Sequence, residues 1–588
     1  MSVMSIDPNA IFDISFLTYI EREYMGYLEV YKSWVNDSFF DEDIREELGC
    51  ITFEKEIEDR FYKELEFGTG GLRGIMGAGT NRLNKYTVGK VTLGLGHYLM
   101  DSYGKDECIE RGVVIGFDTR NNSKDYARVV ADILTGLGLK VYLMKDARPT
   151  PQLSFSVPYY KALAGVVLTA SHNPKEYNGY KVYDEYGCQL VPSQAERVIQ
   201  YVNEVKDYHS IDFEGNDTLL TFIDNTEEFV SEVYKQQRIK NEIIKNNLNI
   251  VYTPLHGSGR IPVSKILEMD GFYCVLLVDE QANDDGDFST VKSPNPEDKE
   301  ALTLGIELAK KLDADIVLGT DPDCDRVGIA VKDANNEYKL LTGNQIGSLL
   351  MDFIIHHTDL SELEKPAIIK TIVTSELGAK IAEKNDIEVF STLTGFKFIG
   401  EKITQFEKAK DQDDLSRNFD YLFGYEESYG YLCGTHARDK DAVVSSMLIC
   451  EMAAEAKSQN KTLIDLLHDI YNEYGYYKDV LESFILKGKD GIEKINVMMN
   501  TLRNECPFAD VEKISDFNKT TFEEHGFGTY PISNVLKYEL KDGSWVAVRP
   551  SGTEPKIKIY YSIRGNDESD ANVRFEMIQN LIKTRIGL

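Results

Sequence analysis

The sequence predicts a multi-domain α/β protein with a different, α+β segment at its C-terminal end. Three observations carry that expectation. The chain has 588 residues, and at roughly 100–200 residues per domain it should hold about three to five domains. Short apolar runs alternate with amphipathic stretches, and this rhythm begins three times along the chain. In the last segment Ile557, Ile559 and Tyr561 alternate instead with polar neighbours, the pattern of a half-buried strand.

The elements follow in order. Residues 9–66 read as helical and charged, with Glu and Lys at helix-compatible spacing. Val113, Val114 and Ile115 predict a strand, 118–122 a turn, and Ser123 an N-cap for a helix through about Leu137. A strand at 141–144 follows. The apolar run Val166, Val167 and Leu168 predicts a buried strand that Asn173 and Pro174 end in a loop. This βαβ rhythm implies a mostly parallel sheet covered by helices. It restarts at 248–252, continues at 273–278 and includes Ile316, Val317 and Leu318; Leu302, Ile306 and Ala309 share one face of the helix before that last strand. It restarts again at 368–373 and 387–390. Trp545, Val546 and Val548 form one strand of the final segment, and Ile557, Ile559 and Tyr561 another. Polar stretches near 207–226, 332–338 and 411–419 mark boundaries or insertions.

Apolar residues make up 42% of the chain and aromatic residues 11%, which suits a globular enzyme and argues against disorder. The net charge of −32 disfavours nucleic acid and anionic membranes as partners. It also repels anionic metabolites, so a phosphate-ester substrate would demand local Arg and Lys. The eight cysteines form no CxxC pair or Cys/His cluster and read as reduced thiols. Met1 to Asp7 carries no basic segment followed by an apolar one, and no apolar run has membrane-spanning length. A cytoplasmic protein is expected.

Four polar loops carry chemistry. Thr169-Ala170-Ser171-His172-Asn173-Pro174 places the Ser171 hydroxyl at a strand's end, where it can meet a ligand. Asp321, Asp323 and Asp325, followed by Arg326, sit between apolar strands; three hard oxygen donors suit Mg²⁺, whereas an acidic surface turn would leave three repelling charges. Gly424-Tyr425-Glu426-Glu427-Ser428-Tyr429-Gly430 offers Glu426 and Ser428 at alternate positions for sugar hydroxyls, although a solvated acidic turn with packed tyrosines is the better reading of this loop alone. Arg549-Pro550-Ser551-Gly552-Thr553-Glu554-Pro555 offers a guanidinium fork, two hydroxyls and a glycine for a phosphate; a plain hairpin turn is an equal reading of that loop alone. Upstream, Phe67-Gly68-Thr69-Gly70-Gly71-Leu72-Arg73-Gly74 is glycine-rich but lacks the GK[ST] ending of a P-loop. Lys181 returns toward Ser171 if the intervening loop folds back. Arg438 and Lys440 flank Asp439.

In this order the four loops resemble those of the α-D-phosphohexomutase superfamily, from about Phe67 to Tyr561, and the spelling GYEES and LTGFK looks most like the phosphoglucomutase-2-like branch. The resemblance implies three related α/β domains and a C-terminal α+β domain around a central cleft, placed at 1–208, 209–332, 333–470 and 471–588. It implies that Ser171 is a phosphoserine that gives and takes the phosphoryl group. Asp321, Asp323 and Asp325 would hold Mg²⁺, with the Ser171 phosphate as a further ligand. Arg73 and Lys181 would assist transfer, with His172 and Arg326 beside them. Thr69, Thr394, Glu426, Ser428 and Lys440 would contact the sugar phosphate, and Arg549, Ser551, Gly552 and Thr553 would clamp the non-reacting phosphate.

The implied reaction interconverts glucose 1-phosphate and glucose 6-phosphate, with glucose 1,6-bisphosphate as intermediate and activator. Mannose or pentose phosphates are the alternative substrates, and a Mg²⁺-dependent sugar phosphatase or a non-catalytic sugar-phosphate sensor the alternative roles. A monomer or weak homodimer is expected. Two departures from the family pattern stand out: Ala442 follows Lys440-Asp441 where Gly is usual, and Gly70 stands where Ser is common.

Overall fold

The protein is described by a computed structural model over residues 26–68, 70–486, 489–519, 527–551 and 556–588. The chain divides into two compact units. The first comprises Met1–Pro149, Ser156–Asp224 and Asp285–Ser293; the second comprises Thr150–Phe155, Asn225–Asp284 and Pro294–Leu588.

The first unit is built on six strands: β1 (Leu72–Ile75), β2 (Val113–Phe117), β3 (Val141–Met144), β4 (Ala164–Leu168), β5 (Tyr177–Tyr183) and β6 (Leu220–Ile223). Their order is β1-β5-β4-β2-β3-β6. Strands β4, β2, β3 and β6 are parallel, whereas β5 runs antiparallel to both β4 and β1. Every residue of β2 and β4 is buried, as expected for parallel strands covered on both faces. The sheet is mostly parallel, as the βα rhythm suggests, with an antiparallel edge. The cause of that edge is chain length: a parallel crossover needs roughly a dozen residues or more, and only 169–176 separate β4 from β5.

Ser123 is not the N-cap. It is the first residue of the helix Ser123–Gly136, and Asn122 precedes it with a left-handed φ of 64°. The Ser123 hydroxyl instead donates to Asp118 Oδ1 at 2.7 Å. The expected N-terminal helical segment is present where described: 26–36 is helical and is followed by the helices Glu42–Gly49 and Glu54–Phe61. Trp34 stacks on Phe40 at 4.2 Å and meets Tyr86 edge-on at 5.6 Å, anchoring this segment to the helix Lys85–Tyr103. The part of the helical expectation on 9–25 lies outside the described residues.

The second unit carries three sheets. The first holds β7 (Ile250–Thr253), β8 (Val275–Leu277), β9 (Ile316–Thr320), β10 (Val327–Lys332) and β11 (Tyr338–Leu340), in the order β11-β10-β9-β7-β8. Strands β7, β8 and β9 are parallel and β10 and β11 antiparallel. The polar stretch at 332–338 is the hairpin between β10 and β11, where Asp333 accepts from the N–H groups of Asn335 and Glu337 at 2.8 and 2.9 Å. The next sheet holds β12 (Pro366–Thr371), β13 (Glu388–Thr392), β14 (Asp420–Glu426) and β15 (Gly430–Cys433), ordered β13-β12-β14-β15. The last holds β16 (Tyr476–Ile485), β17 (Val511–Asp516), β18 (Leu536–Leu540), β19 (Trp545–Pro550) and β20 (Lys556–Gly565), ordered β16-β20-β19-β18-β17 and antiparallel throughout. Val546, Val548, Ile557, Ile559 and Tyr561 face one core with Ile578 and Ile582 of the helix Glu568–Ile586, the expected α+β arrangement. No helix among the described residues is long and apolar enough to cross a membrane. The eight cysteines are free thiols.

Within the second unit Lys537 of β18 is buried over the Trp545 ring, 4.4 Å from its centroid, and lies 3.5 Å from Glu376, which pairs with Lys370 at 3.0 Å. Burial pulls the Lys537 pKa down to about 8, against the attraction of Glu376. The unfolded chain therefore binds more protons than the folded one between about pH 8 and 10.5. Stability of the wild type relative to Lys537→Met is expected to rise with pH across that window, as read by paired urea titrations; a flat difference would refute it.

Candidate active site

Strand β4 carries the chain to Ser171, which is buried and holds a left-handed φ of 53°. For a residue other than glycine that backbone is strained, and it persists because the surroundings hold it. The Ser171 N–H donates to Thr169 Oγ1 at 2.8 Å, and the Thr169 hydroxyl donates to Asp118 Oδ2 at 2.6 Å. Ser171 Oγ lies 3.2 Å from His172 Nδ1. The loop folds back as anticipated: β5 returns antiparallel to β4 and sets Lys181 opposite Val167. Arg73 on β1 faces Gly179 on β5. Cross-strand partners share a face and residues two apart on a strand share a face, so Arg73 and Lys181 lie on the same face of the sheet. Lys181 is buried and Arg73 exposed. Gly71, at φ 98°, crosses β5 so closely that a Cβ there would stand 2.2 Å from the Tyr180 carbonyl oxygen and 3.2 Å from Lys181 Cα. Thr69 lies outside the described residues.

In the second unit Asp321, Asp323 and Asp325 are buried, and each offers a carboxylate oxygen within 4.8 Å of the others. The loop is held by its backbone. Asp321 Oδ1 accepts from the N–H groups of Asp325 and Arg326 at 3.1 and 3.0 Å, and Cys324 takes a left-handed φ of 50°. Thr150 donates to Asp323 twice, from N–H to carbonyl at 2.8 Å and from Oγ1 to Oδ2 at 2.9 Å. Gly257 and Gly259 pack against the loop, where a Cβ would stand 2.6 Å from Pro322 Cα and 2.7 Å from Cys324 Sγ respectively. Three buried carboxylates this close repel one another, and an all-oxygen donor set fits a hard divalent cation such as Mg²⁺. The acidic-surface-turn alternative does not describe buried side chains.

Lys440 is the cation already at this centre, 3.0 Å from Asp325 Oδ2 and 3.1 Å from Asp439 Oδ1. Burial alone would lower its pKa, but Asp325, Asp439 and Glu426 outweigh burial and hold it above the ordinary lysine value. Arg326 sits 2.6 Å from Glu297. Burial opposes its charge too, and Glu297, Asp325, Asp321 and Glu426 keep its pKa raised. Asp441 N-caps the helix Ala442–Ser458 through the N–H groups of Val443 and Val444, at 2.7 and 3.3 Å. Ala442 is thus the first helical position and needs no glycine; its N–H donates to the Cys324 carbonyl at 3.2 Å, tying the Lys440 segment to the aspartate loop.

Glu426 ends β14, buried, with Oε1 accepting from the Gly395 N–H at 2.9 Å. That bond brings the Thr394 loop beside the Glu426 loop. The solvated-turn alternative is therefore set aside for Glu426, while Ser428 is half-buried in the turn between β14 and β15. Burial pushes the Glu426 carboxyl up, against the pull of Lys440 and Arg326. Burial and then the Glu426 charge raise Glu427 to about 7.

Arg549 of β19 stands directly opposite Lys558 of β20. Two like charges across a ladder destabilise it. Arg549 and Lys556 depress the Lys558 pKa further after burial, and Glu427 opposes them. Ser551 closes the turn by donating its N–H to the Lys556 carbonyl at 2.7 Å; Gly552 and Thr553 lie outside the described residues. The second unit therefore gathers the aspartates, Arg326, Lys440 and Glu426 into one electrostatic neighbourhood. The sequence reading missed Arg120, Thr150, Glu297 and Lys558. Lys558 had a visible signal, since it alternates with Lys556 just beyond the Arg549 loop.

Four consecutive segments match the domains of the phosphoglucomutase/phosphomannomutase family: α/β/α domain I at residues 64–209, domain II at 227–335, domain III at 342–474 and the C-terminal domain at 495–579. The chain belongs to that family and has its four-domain architecture. It is an enzyme of the mutase, or isomerase, class. Among curated relatives, the phosphoglucomutase of Staphylococcus haemolyticus is 37% identical over 518 residues, covering 86% of this chain and 91% of the relative. That of Staphylococcus epidermidis is 38% identical, covering 90% and 96%. Among solved structures, the open form of pp63/parafusin, a phosphoglucomutase from Paramecium, aligns with a TM-score of 0.68 at 16% identity, covering 90% of this chain and 96% of that one. A phosphoglucomutase/phosphomannomutase family protein from Burkholderia thailandensis aligns at 0.64 and 17%, covering 88% and 97%.

Proposed function

We propose that this protein is a cytoplasmic phosphoglucomutase that interconverts glucose 1-phosphate and glucose 6-phosphate through a phosphorylated Ser171 and a bound glucose 1,6-bisphosphate. The observation that carries the proposal is the buried trio Asp321, Asp323 and Asp325 crossed by Lys440, in a chain whose curated relatives are named phosphoglucomutase. Ser171 donates its phosphoryl group to the free sugar hydroxyl, and after the bisphosphate turns around it takes back the other phosphate. Both transfers break one P–O bond and form another, so serine ester and sugar hydroxyl exchange places. Mg²⁺ held by the three aspartates would supply charge neutralisation for the transferred phosphoryl oxygens.

The chain's own residues do the rest. Arg73 and Lys181 balance phosphoryl charge, and His172, beside the seryl oxygen, holds its proton. Glu426 and Ser428 grip sugar hydroxyls in both orientations, with Thr69, Thr394, Arg326 and Lys440 around them. Arg549 and Ser551, with Gly552 and Thr553, hold the phosphate that is not reacting, and Lys558 adds charge there. The functional segments are 1–208 with the phosphoserine, 209–332 with the metal loop, 333–470 with the sugar loop and 471–588 with the phosphate clamp.

A coupled assay with glucose, mannose and ribose 1-phosphates and a trace of the bisphosphate tests the proposal. Fastest turnover of the glucose ester is the expected result; preference for another sugar, or release of inorganic phosphate without isomerisation, would overturn it. Arg549→Ala should raise KM for the sugar phosphate at least about tenfold, because a charge-assisted fork is lost. Unchanged KM and kcat in steady-state kinetics would remove the clamp role.

A further inference from the structure

A buried arginine gathers the Ser171 loop onto itself. The Arg120 side chain is fully buried beside Asp118, with Nε 3.3 Å from Asp118 Oδ2. Its Nη1 donates to the carbonyls of Pro174 and Tyr177 at 2.9 and 3.2 Å, and its Nη2 donates to those of Ser171 and Asn173. Three carbonyls of the loop and that of Tyr177, at the start of β5, thus aim their negative ends at one guanidinium. A loop that is to carry a phosphate dianion gains from this, because the same carbonyls turned outward would repel the phosphoryl oxygens. Asp118 completes the frame: it accepts from the Arg120 N–H at 3.0 Å, the Ser123 hydroxyl and the Thr169 hydroxyl, and Thr169 in turn holds the Ser171 N–H.

The guanidinium is covered by a second device. Asp285–Ser293 belongs to the first unit although it is encoded between β8 and β9. Phe288, buried and at a left-handed φ of 47°, lies over the guanidinium with its ring centroid 4.9 Å away. Asp285 shapes this turn by accepting from the N–H groups of Asp287 and Ser289 at 3.0 and 2.9 Å. Gly286 sits so close to Asn121 that a Cβ would stand 2.6 Å from its backbone nitrogen. Asp287 lies 3.3 Å from both Asn121 Nδ2 and Lys175 Nζ, and the Ser293 hydroxyl donates to the His172 carbonyl at 2.7 Å. The segment therefore grips the Ser171 loop at two points, Lys175 and His172, and places an aromatic face on the arginine that organises it.

We propose that Arg120 and Phe288 are positioning residues for phosphoryl transfer: Arg120 holds the Ser171 loop in its left-handed conformation by collecting its carbonyls, and Phe288 keeps that guanidinium dry and correctly aimed. This rests on the reading of Ser171 as the phosphorylated residue. Both act through the loop, so their loss should lower kcat and leave sugar-phosphate binding alone. Planar four-carbonyl geometry is what lysine cannot reproduce.

The test uses the full-length enzyme in three forms: wild type, Arg120→Lys and Phe288→Leu. Each is incubated with glucose 1,6-bisphosphate and Mg²⁺, phosphate on Ser171 is read by peptide mass spectrometry, and kcat, KM and Tm are measured. Arg120→Lys should lose about a hundredfold in kcat, the scale of a small misplacement of a reacting group. Phe288→Leu should lose about threefold to tenfold, the scale of a desolvated cation–π contact. KM should stay within about twofold in both. A folded Arg120→Lys with wild-type kcat overturns the proposal, as does a kcat loss in Phe288→Leu matched by an equal rise in KM. Should Arg120→Lys fail to fold, Phe288→Leu decides alone: a kcat loss at constant KM supports the proposal, and wild-type kcat overturns it. No phosphate on Ser171 in the wild type would instead sink the phosphoserine reading itself.

Discussion

Ser171→Ala is expected to abolish mutase turnover, by at least about four orders of magnitude, because removal of a covalent nucleophile leaves only binding and electrostatics. The fold should survive. The Ser171 hydroxyl meets the neighbouring His172 ring, whereas the bonds that shape the loop are made by the Ser171 backbone, its N–H to Thr169 and its carbonyl to Arg120. Alanine keeps those backbone bonds, although it inherits the left-handed φ and its strain. Tm should therefore fall by only a few degrees while activity vanishes and no phosphate appears at position 171. Wild-type turnover in this variant would show that the phosphoryl group travels by another residue.

The second large effect is expected from Asp323→Asn. Asn can still accept from the Thr150 hydroxyl, so that bond can persist while the donor set loses one of its three charges. Two opposite consequences follow from the same electrostatics. Without metal the variant should be the more stable protein, since three buried carboxylates within 4.8 Å repel one another. With Mg²⁺ the order should reverse, because a ligand that binds only the folded state stabilises it by about 2.7 kcal/mol at a hundred times its Kd. Thermal melts with chelator and with Mg²⁺, set beside kcat, check this. The wild type should gain Tm from Mg²⁺ and the variant little, and kcat should fall about a hundredfold or more. Equal responses of both proteins to Mg²⁺ would take the cation away from this trio.

Much of the fold was legible because its signals are local. Val113–Phe117 and Ala164–Leu168 are continuous apolar runs and became fully buried parallel strands; Ile557, Ile559 and Tyr561 alternate and became one face of an antiparallel strand. Where the expectation missed, a longer-range demand had won. Ser123 looks like a helix cap, yet Asp118 takes its hydroxyl for the frame around Ser171. The polar stretch at 332–338, read as a boundary or insertion, forms the β10–β11 hairpin, where the match to domain II ends at 335 before that to domain III begins at 342. Lys440 and Lys181 have the composition of surface charges and are both buried.

The amino-acid sequence by itself determined the order of the four polar loops and the side chains they offer, because each motif spans a few neighbouring residues and ends a strand whose apolar pattern is plain. Tertiary structure alone decided what holds those side chains. Thr150 reaches Asp323 across 173 positions, Arg120 reaches the Ser171 carbonyl across 51, and Phe288 arrives on that arginine from between strands of a different sheet. Hydrogen bonds and ring contacts over such separations leave no periodicity in the chain. They exist only once the burial of apolar strands has closed the loops and brought their partners within bonding distance.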